Sequence, residues 1–154
     1  MRRPWGALSE REFRLLFVGQ LTSAFGDRLV PIALAFAVLD LTGSAADLGY
    51  VLAGQTVPML LLVALGGVWG DRLPRQLVML GSDVLRCGSQ GLVAALLLTG
   101  HAQIWELVAL NAVYGAADAF FTPAMVGLIP ATVRPDRLQQ ANALMRLSRA
   151  EAPA

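Results

Sequence analysis

Lysine is absent from this chain, and cysteine and histidine occur once each, as Cys87 and His101. A single cysteine excludes an intrachain disulfide, and these two residues alone make no metal-ligand cluster. His101 reads as an ordinary loop residue. Charge is scarce as well: 15% of the 154 residues are charged, where soluble domains carry about 25%. Together with 56% hydrophobic residues and a mean hydropathy of +0.59, this excludes a soluble globular domain. A cleavable signal peptide is a poor reading of the N-terminus and is not expected. Residues 1–14 mix both charge signs, and the apolar run after them far exceeds an h-region of about 7 to 15 residues.

What the chain does have is four long apolar segments, over residues 13–39, 47–69, 77–99 and 104–127. Each has about 20 residues or more, enough for a helix to cross about 30 Å of hydrocarbon. Ser9-Glu10-Arg11-Glu12 has capping-box spacing ahead of Phe13, and Ser44-x-x-Asp47 supplies a similar start before the second segment. A fifth helix is predicted to begin near Arg137 and to be cut short at Ala154 before it turns hydrophobic. The expected fold is an all-α, polytopic membrane helical bundle. A cytoplasmic segment (1–12) precedes four transmembrane helices (13–127), and a cytoplasmic link with the start of a fifth follows (128–154).

All twelve basic residues are arginine, and their placement orients the bundle. Arg2, Arg3, Arg11 and Arg14 precede the first span, Arg72 and Arg75 lie between the second and third, and Arg134, Arg137, Arg146 and Arg149 follow the fourth. The links over 40–46 and 100–103 contain no basic residue. Short cytoplasmic loops hold the excess of Lys and Arg, so both termini and the second link are expected in the cytoplasm of a cell-membrane protein. Trp5, Trp69 and Trp105 fall near span ends, where indole favours the headgroup zone.

Polar residues inside the spans are costly, at about 2.5 to 3.5 kcal/mol for a mid-membrane Asp or Arg on insertion scales. In the first span Gln20, Ser23 or Ala24, Asp27 and Pro31 recur at helical spacing as one polar stripe. Pro31 also removes the hydrogen bond to the Asp27 carbonyl. Asp27 and Arg28 are adjacent and point about 100° apart, so each needs a partner on another helix or water. Two readings stand: a substrate or proton pathway, or a structural interhelical ion pair. In the third span Asp83 and Arg86 are three apart and can pair along one face. Alternatively Arg86 reaches Asp118, which the fourth span brings to a similar depth. Gly66 with Gly70, and Gly88 with Gly91 and Ala95, have the spacing of close helix-packing faces.

The link Gly67-Val68-Trp69-Gly70-Asp71-Arg72-Leu73-Pro74-Arg75 resembles the cytoplasmic loop between helices two and three of the major facilitator superfamily, Gly-x-x-x-Asp-Arg-x-Gly-Arg-Lys/Arg. Gly67, Asp71, Arg72 and Arg75 match, while Pro74 and Gln76 depart from it. Residues 13–29, Leu41-Thr42-Gly43-Ser44, Pro58, Asp83-Val84-Leu85-Arg86, Phe121-Thr122-Pro123-Ala124, Leu128-Ile129-Pro130 and Gln140-Ala141-Asn142-Ala143 are similar to the enterobactin-exporter-like and macrolide-efflux-like branch. The resemblance implies that Gly67, Asp71, Arg72 and Arg75 form a conformational latch at the cytoplasmic helix ends. Asn111 stands where drug:proton antiporters of the superfamily carry an arginine, and it joins Gln20, Asp27 and Arg28 as a candidate pathway residue.

Family members have about twelve spans in two halves with the substrate site between them. The resemblance therefore implies an N-terminal fragment of a small-molecule efflux transporter, with the lipid bilayer, a small-molecule substrate and a missing C-terminal half as partners. No cofactor, metal or nucleic acid is expected. The alternative is a small four-span membrane protein acting as a homo-oligomeric binding or scaffold unit. An enzyme is not expected: Asp71 and Asp83 bracket Arg75, but the Asp-x-x-Asp-Gly start of membrane lipid transferases is absent.

Overall fold

The computed structural model describes residues 6–70 and 74–148. Every element among them is helical. A 3-10 turn (Gly6–Ser9) leads into α1 (Arg11–Thr42), α2 (Ala45–Gly70), α3 (Arg75–Thr99) and α4 (Ile104–Thr132); a second 3-10 turn (Pro135–Arg137) leads into α5 (Leu138–Ser148). Each of the four apolar segments lies within one helix, and the helix expected near Arg137 starts at Leu138. α1 runs through Pro31 and α2 through Pro58 without interruption. The hydrogen bond missing at the Asp27 carbonyl is thus absorbed inside a continuous helix.

Local chemistry sets the helix ends. Ser44 caps α2, its Oγ accepting from the Asp47 N–H at 3.2 Å. Glu106 caps α4 from the other side, its carboxylate accepting from the Gln103 N–H at 3.0 Å; together these are the two halves of a capping box, one on each helix. The Ser9 hydroxyl is used differently from the expected box: it donates to the Gly6 carbonyl at 2.5 Å, and α1 begins at Arg11. At the other ends the chain needs left-handed backbone, and glycine supplies it. Gly43 (φ 65°) donates to Leu39 O, while Gly100 (φ 70°) donates to Leu97 O and His101 to Leu96 O, the Schellman pattern.

Two compact units make up the chain: the part up to Ala33 together with the part from Gly127 onward, and Leu34–Val126. The first is built on Ala7, Phe13, Ile129, Val133, Ala141, Leu144 and Met145, with Phe17 stacked on Phe13 at 6.0 Å. The second is built on Leu34, Val38, Val51, Val93, Ala102 and Leu107. Large apolar side chains such as Phe36, Leu60 and Leu61 are exposed, as suits a surface solvated by lipid tails. Among the described residues, Ala45–Leu65 and Ile104–Thr132 are long and apolar enough to cross a membrane. α1 and α3, of 32 and 25 residues, have the length, but charges such as Asp27, Arg28, Asp83 and Arg86 dilute their apolarity.

Among the described residues, the close helix approach is not at Gly88 and Gly91. A Cβ at Gly88 or Gly91 would meet nothing within 4 Å. A Cβ at Gly54 in α2 would lie 2.8 Å from the Val108 carbonyl of α4, and one at Gly115 in α4 would collide with the Gln55 carbonyl of α2. Glycine on each helix lets the two backbones touch. Gly66 and Gly70 belong to a stretch whose surroundings lie outside the described residues.

Candidate functional site

In the second unit, α3 buries Ser82, Arg86, Ser89 and Val93, a spacing that places all four on one helical face. Arg86 is the centre of this stripe and only 6% exposed. Its Nη2 donates to the Tyr114 hydroxyl at 2.8 Å. Its Nη1 lies 3.7 Å from Asp83 Oδ1 on the same helix, and its Nε lies 3.8 Å from Asp118 Oδ1 on α4. Its guanidinium carbon sits 5.0 Å from the ring centres of both Tyr114 and Phe121. A buried cation is stable only when paired and hydrogen-bonded. Here two carboxylates, one hydroxyl and two aromatic faces surround it. The pairings with Asp83 and with Asp118 coexist, so the two sequence readings are not exclusive.

Tyr114, Ser82 and Ser89 were not singled out from the sequence, and Phe121 entered only as part of the family-like stretch Phe121-Thr122-Pro123-Ala124. The signal available was the polar spacing 82, 86, 89 in α3 and its counterpart 111, 114, 118 in α4. Further along the two helices are two amides, Asn111 buried and Gln90 half-buried. Asn111 is fully buried and donates from Nδ2 to the Leu107 carbonyl of its own helix at 2.8 Å; its Oδ1 and the Nε2 of Gln90 are buried without a hydrogen-bond partner.

The stripe of the first span lies in the first unit. There Gln20 is buried, Ser23, Ala24 and Asp27 are half-buried and Arg28 is exposed. Of the latch residues, Gly67 falls near the end of α2, and Asp71 and Arg72 lie outside the described residues. Arg75 is exposed at the first position of α3, where Pro74 takes the N-cap with φ −57° and ψ 114°. Proline fits this position because the first N–H groups of a helix have no intrahelical acceptor. The Pro74 carbonyl accepts from Leu77 at 2.9 Å. No group of three His, Cys, Asp or Glu side chains among the described residues could hold a metal ion.

Apolar helices and a buried arginine shared by carboxylates of two helices are features of a membrane protein with polar machinery inside it. A family model described as Major Facilitator Superfamily matches residues 16–149. The chain belongs to the major facilitator superfamily. The MFS-type transporter YvqJ of Bacillus subtilis (strain 168) is 26% identical over 90% of this chain, and the multidrug efflux pump Tap of Mycolicibacterium fortuitum is 33% identical over 71% of it. Macrolide efflux protein A of Streptococcus pyogenes is 23% identical over 82%. These matches cover 33%, 27% and 31% of the relatives' own lengths, so the chain spans about a third of the curated relatives it matches. No solved structure matches it at comparable significance. As a major facilitator chain it is an all-helical, multi-pass membrane protein of a transporter family.

Proposed function

We propose that this chain forms the first helices of a small-molecule efflux transporter, with both termini and the link around Asp71 in the cytoplasm. Transport belongs to the longer protein, in which a second half opposes this one and encloses the substrate. The observation that carries the reading is the match to the transporter family over residues 16–149; relatives named as multidrug and macrolide efflux proteins favour export.

Three groups of residues take different parts in it. Gly67, Asp71, Arg72 and Arg75 act as the latch, biasing one state of the cycle by charge contacts at the cytoplasmic helix ends. Asp83, Arg86 and Asp118, held by Tyr114 and Phe121, form the structural ion-pair group that fixes α3 to α4. Gln20, Asp27, Arg28 and Asn111 are assigned to the pathway. Asp27 is its principal acid, because it is half-buried mid-helix beside Pro31 and shares a face with Gln20 and Ser23. Asn111 is assigned more narrowly: one N–H of its amide is committed to Leu107, which leaves its second N–H to donate and its buried Oδ1 to receive a donor.

The test is transport by the longer protein at matched membrane abundance. Asp27→Asn should reduce efflux more than Asp83→Asn or Asp118→Asn. A smaller loss at Asp27 than at the other two would move it to the structural group.

A further inference from the structure

The strongest feature outside the polar stripes lies at the cytoplasmic end of the first unit. Arg137, in the turn ahead of α5, offers Nη1 to three acceptors near the N-terminus: the Gly6 carbonyl at 2.8 Å, the Ser9 hydroxyl at 2.9 Å and Glu10 Oε1 at 3.0 Å. These partners are 127 to 131 residues away in sequence. The 3-10 turn that carries Gly6 and Ser9 packs on α5. Ala7, within that turn, and Phe13, at the start of α1, are fully buried in one cluster with Ile129, Val133, Ala141, Leu144 and Met145. Gly6 fits closely: a Cβ there would lie 3.2 Å from Gln140 Oε1 and 3.8 Å from Arg137 Nε, so the absent side chain lets both residues close over the turn.

From this geometry we infer that Gly6–Ser9 and Glu10 are a strap, clamped by Arg137, that ties the entry of α1 to the start of α5 so that the two move as one body. The half-exposed Glu10–Arg137 pair alone would contribute little. The strap holds because one guanidinium serves three acceptors while Ala7 is buried beneath it. Any change of state that shifts the start of α5 against the start of α1 must first break these bonds. This inference stands independently of what the protein transports, since it concerns only the cytoplasmic end of this unit.

Thiol protection tests it on the whole chain in detergent micelles, with Cys87→Ser removing the native thiol. Ala7→Cys places a probe under the strap, and Val51→Cys, in the core of the other unit, reports general unfolding. With the strap intact both thiols should resist maleimide. Arg137→Ala should raise the alkylation rate at position 7 by about tenfold or more, as expected for loss of a charge-assisted cluster, while position 51 stays protected. Gly6→Val should do the same from the opposite side. Should Arg137→Ala also expose position 51, the milder Glu10→Gln decides: a rise of about threefold at position 7 alone supports the clamp, and no rise refutes it. Free alkylation at position 7 with Arg137 in place would overturn the strap outright.

Discussion

Replacing single glycines by alanine should separate the helix contact that exists from the ones that glycine spacing suggests. In an open helix position the change is mildly favourable, because alanine has about 0.8 to 1.0 kcal/mol better helix propensity. At Gly88 and Gly91 nothing lies within 4 Å of the new methyl, so only that gain remains. At Gly54 the methyl would lie 2.8 Å from the Val108 carbonyl, about 0.6 Å inside ordinary contact, and at Gly115 the overlap with the Gln55 carbonyl is greater. Both obstacles are backbone atoms within helices, so relief requires α2 and α4 to separate. Overpacking of this kind costs about 1 to 3 kcal/mol and outweighs the propensity gain. Thermal denaturation of the detergent-solubilised protein should therefore show Gly115→Ala least stable and Gly54→Ala next, with Gly88→Ala and Gly91→Ala at or above wild type. A ranking in which Gly88→Ala or Gly91→Ala falls below Gly115→Ala would refute the assignment of the contact.

At the arginine cluster, Arg86→Met should destabilise the protein by about 3 to 5 kcal/mol, since it leaves Asp83 and Asp118 without their shared cation. Tyr114→Phe, which removes only the hydroxyl, should cost about 1.5 to 3 kcal/mol; chemical denaturation comparing the two variants checks both values. For topology, cysteines placed at Gly43 and Gly100 in a Cys87→Ser background should react with an impermeant maleimide applied to intact cells, and one at Leu73 should not; labelling at Leu73 would reverse the orientation. For the latch, Asp71→Asn or Arg75→Ala in the longer protein should impair transport while membrane abundance is unchanged, and normal transport by both at equal abundance would dismiss it.

The helices were legible in the sequence because the signals that set them are local. Long apolar runs interrupted by Thr42-Gly43-Ser44, by the Asp71 link and by Gly100 leave little choice of boundary, and the left-handed glycines stop α1 and α3 where a turn is needed. The Ser9 capping box failed for a nonlocal reason: Arg137, 128 residues away, binds the Ser9 hydroxyl. A motif four residues long cannot register such a partner. The Gly88 and Gly91 face failed similarly, since spacing says which residues share a face but not whether another helix comes to that face.

The arginine cluster lies between these cases, and its physics explains why. A carboxylate three residues from an arginine is visible along one strand of sequence, so Asp83 was an evident partner for Arg86. Asp118 could be proposed from depth alone, because antiparallel spans of similar length bring predictable levels together. Tyr114 and Phe121 could not, because aromatic residues in an apolar helix match lipid-facing or core positions equally well until a cation is placed beside them. Once Arg86 is buried, the requirement to satisfy its five donors turns each neighbour of suitable chemistry on the facing helix into a candidate. Polar residues spaced 82, 86, 89 on one span and 111, 114, 118 on the next then identify the seam on which those neighbours must lie.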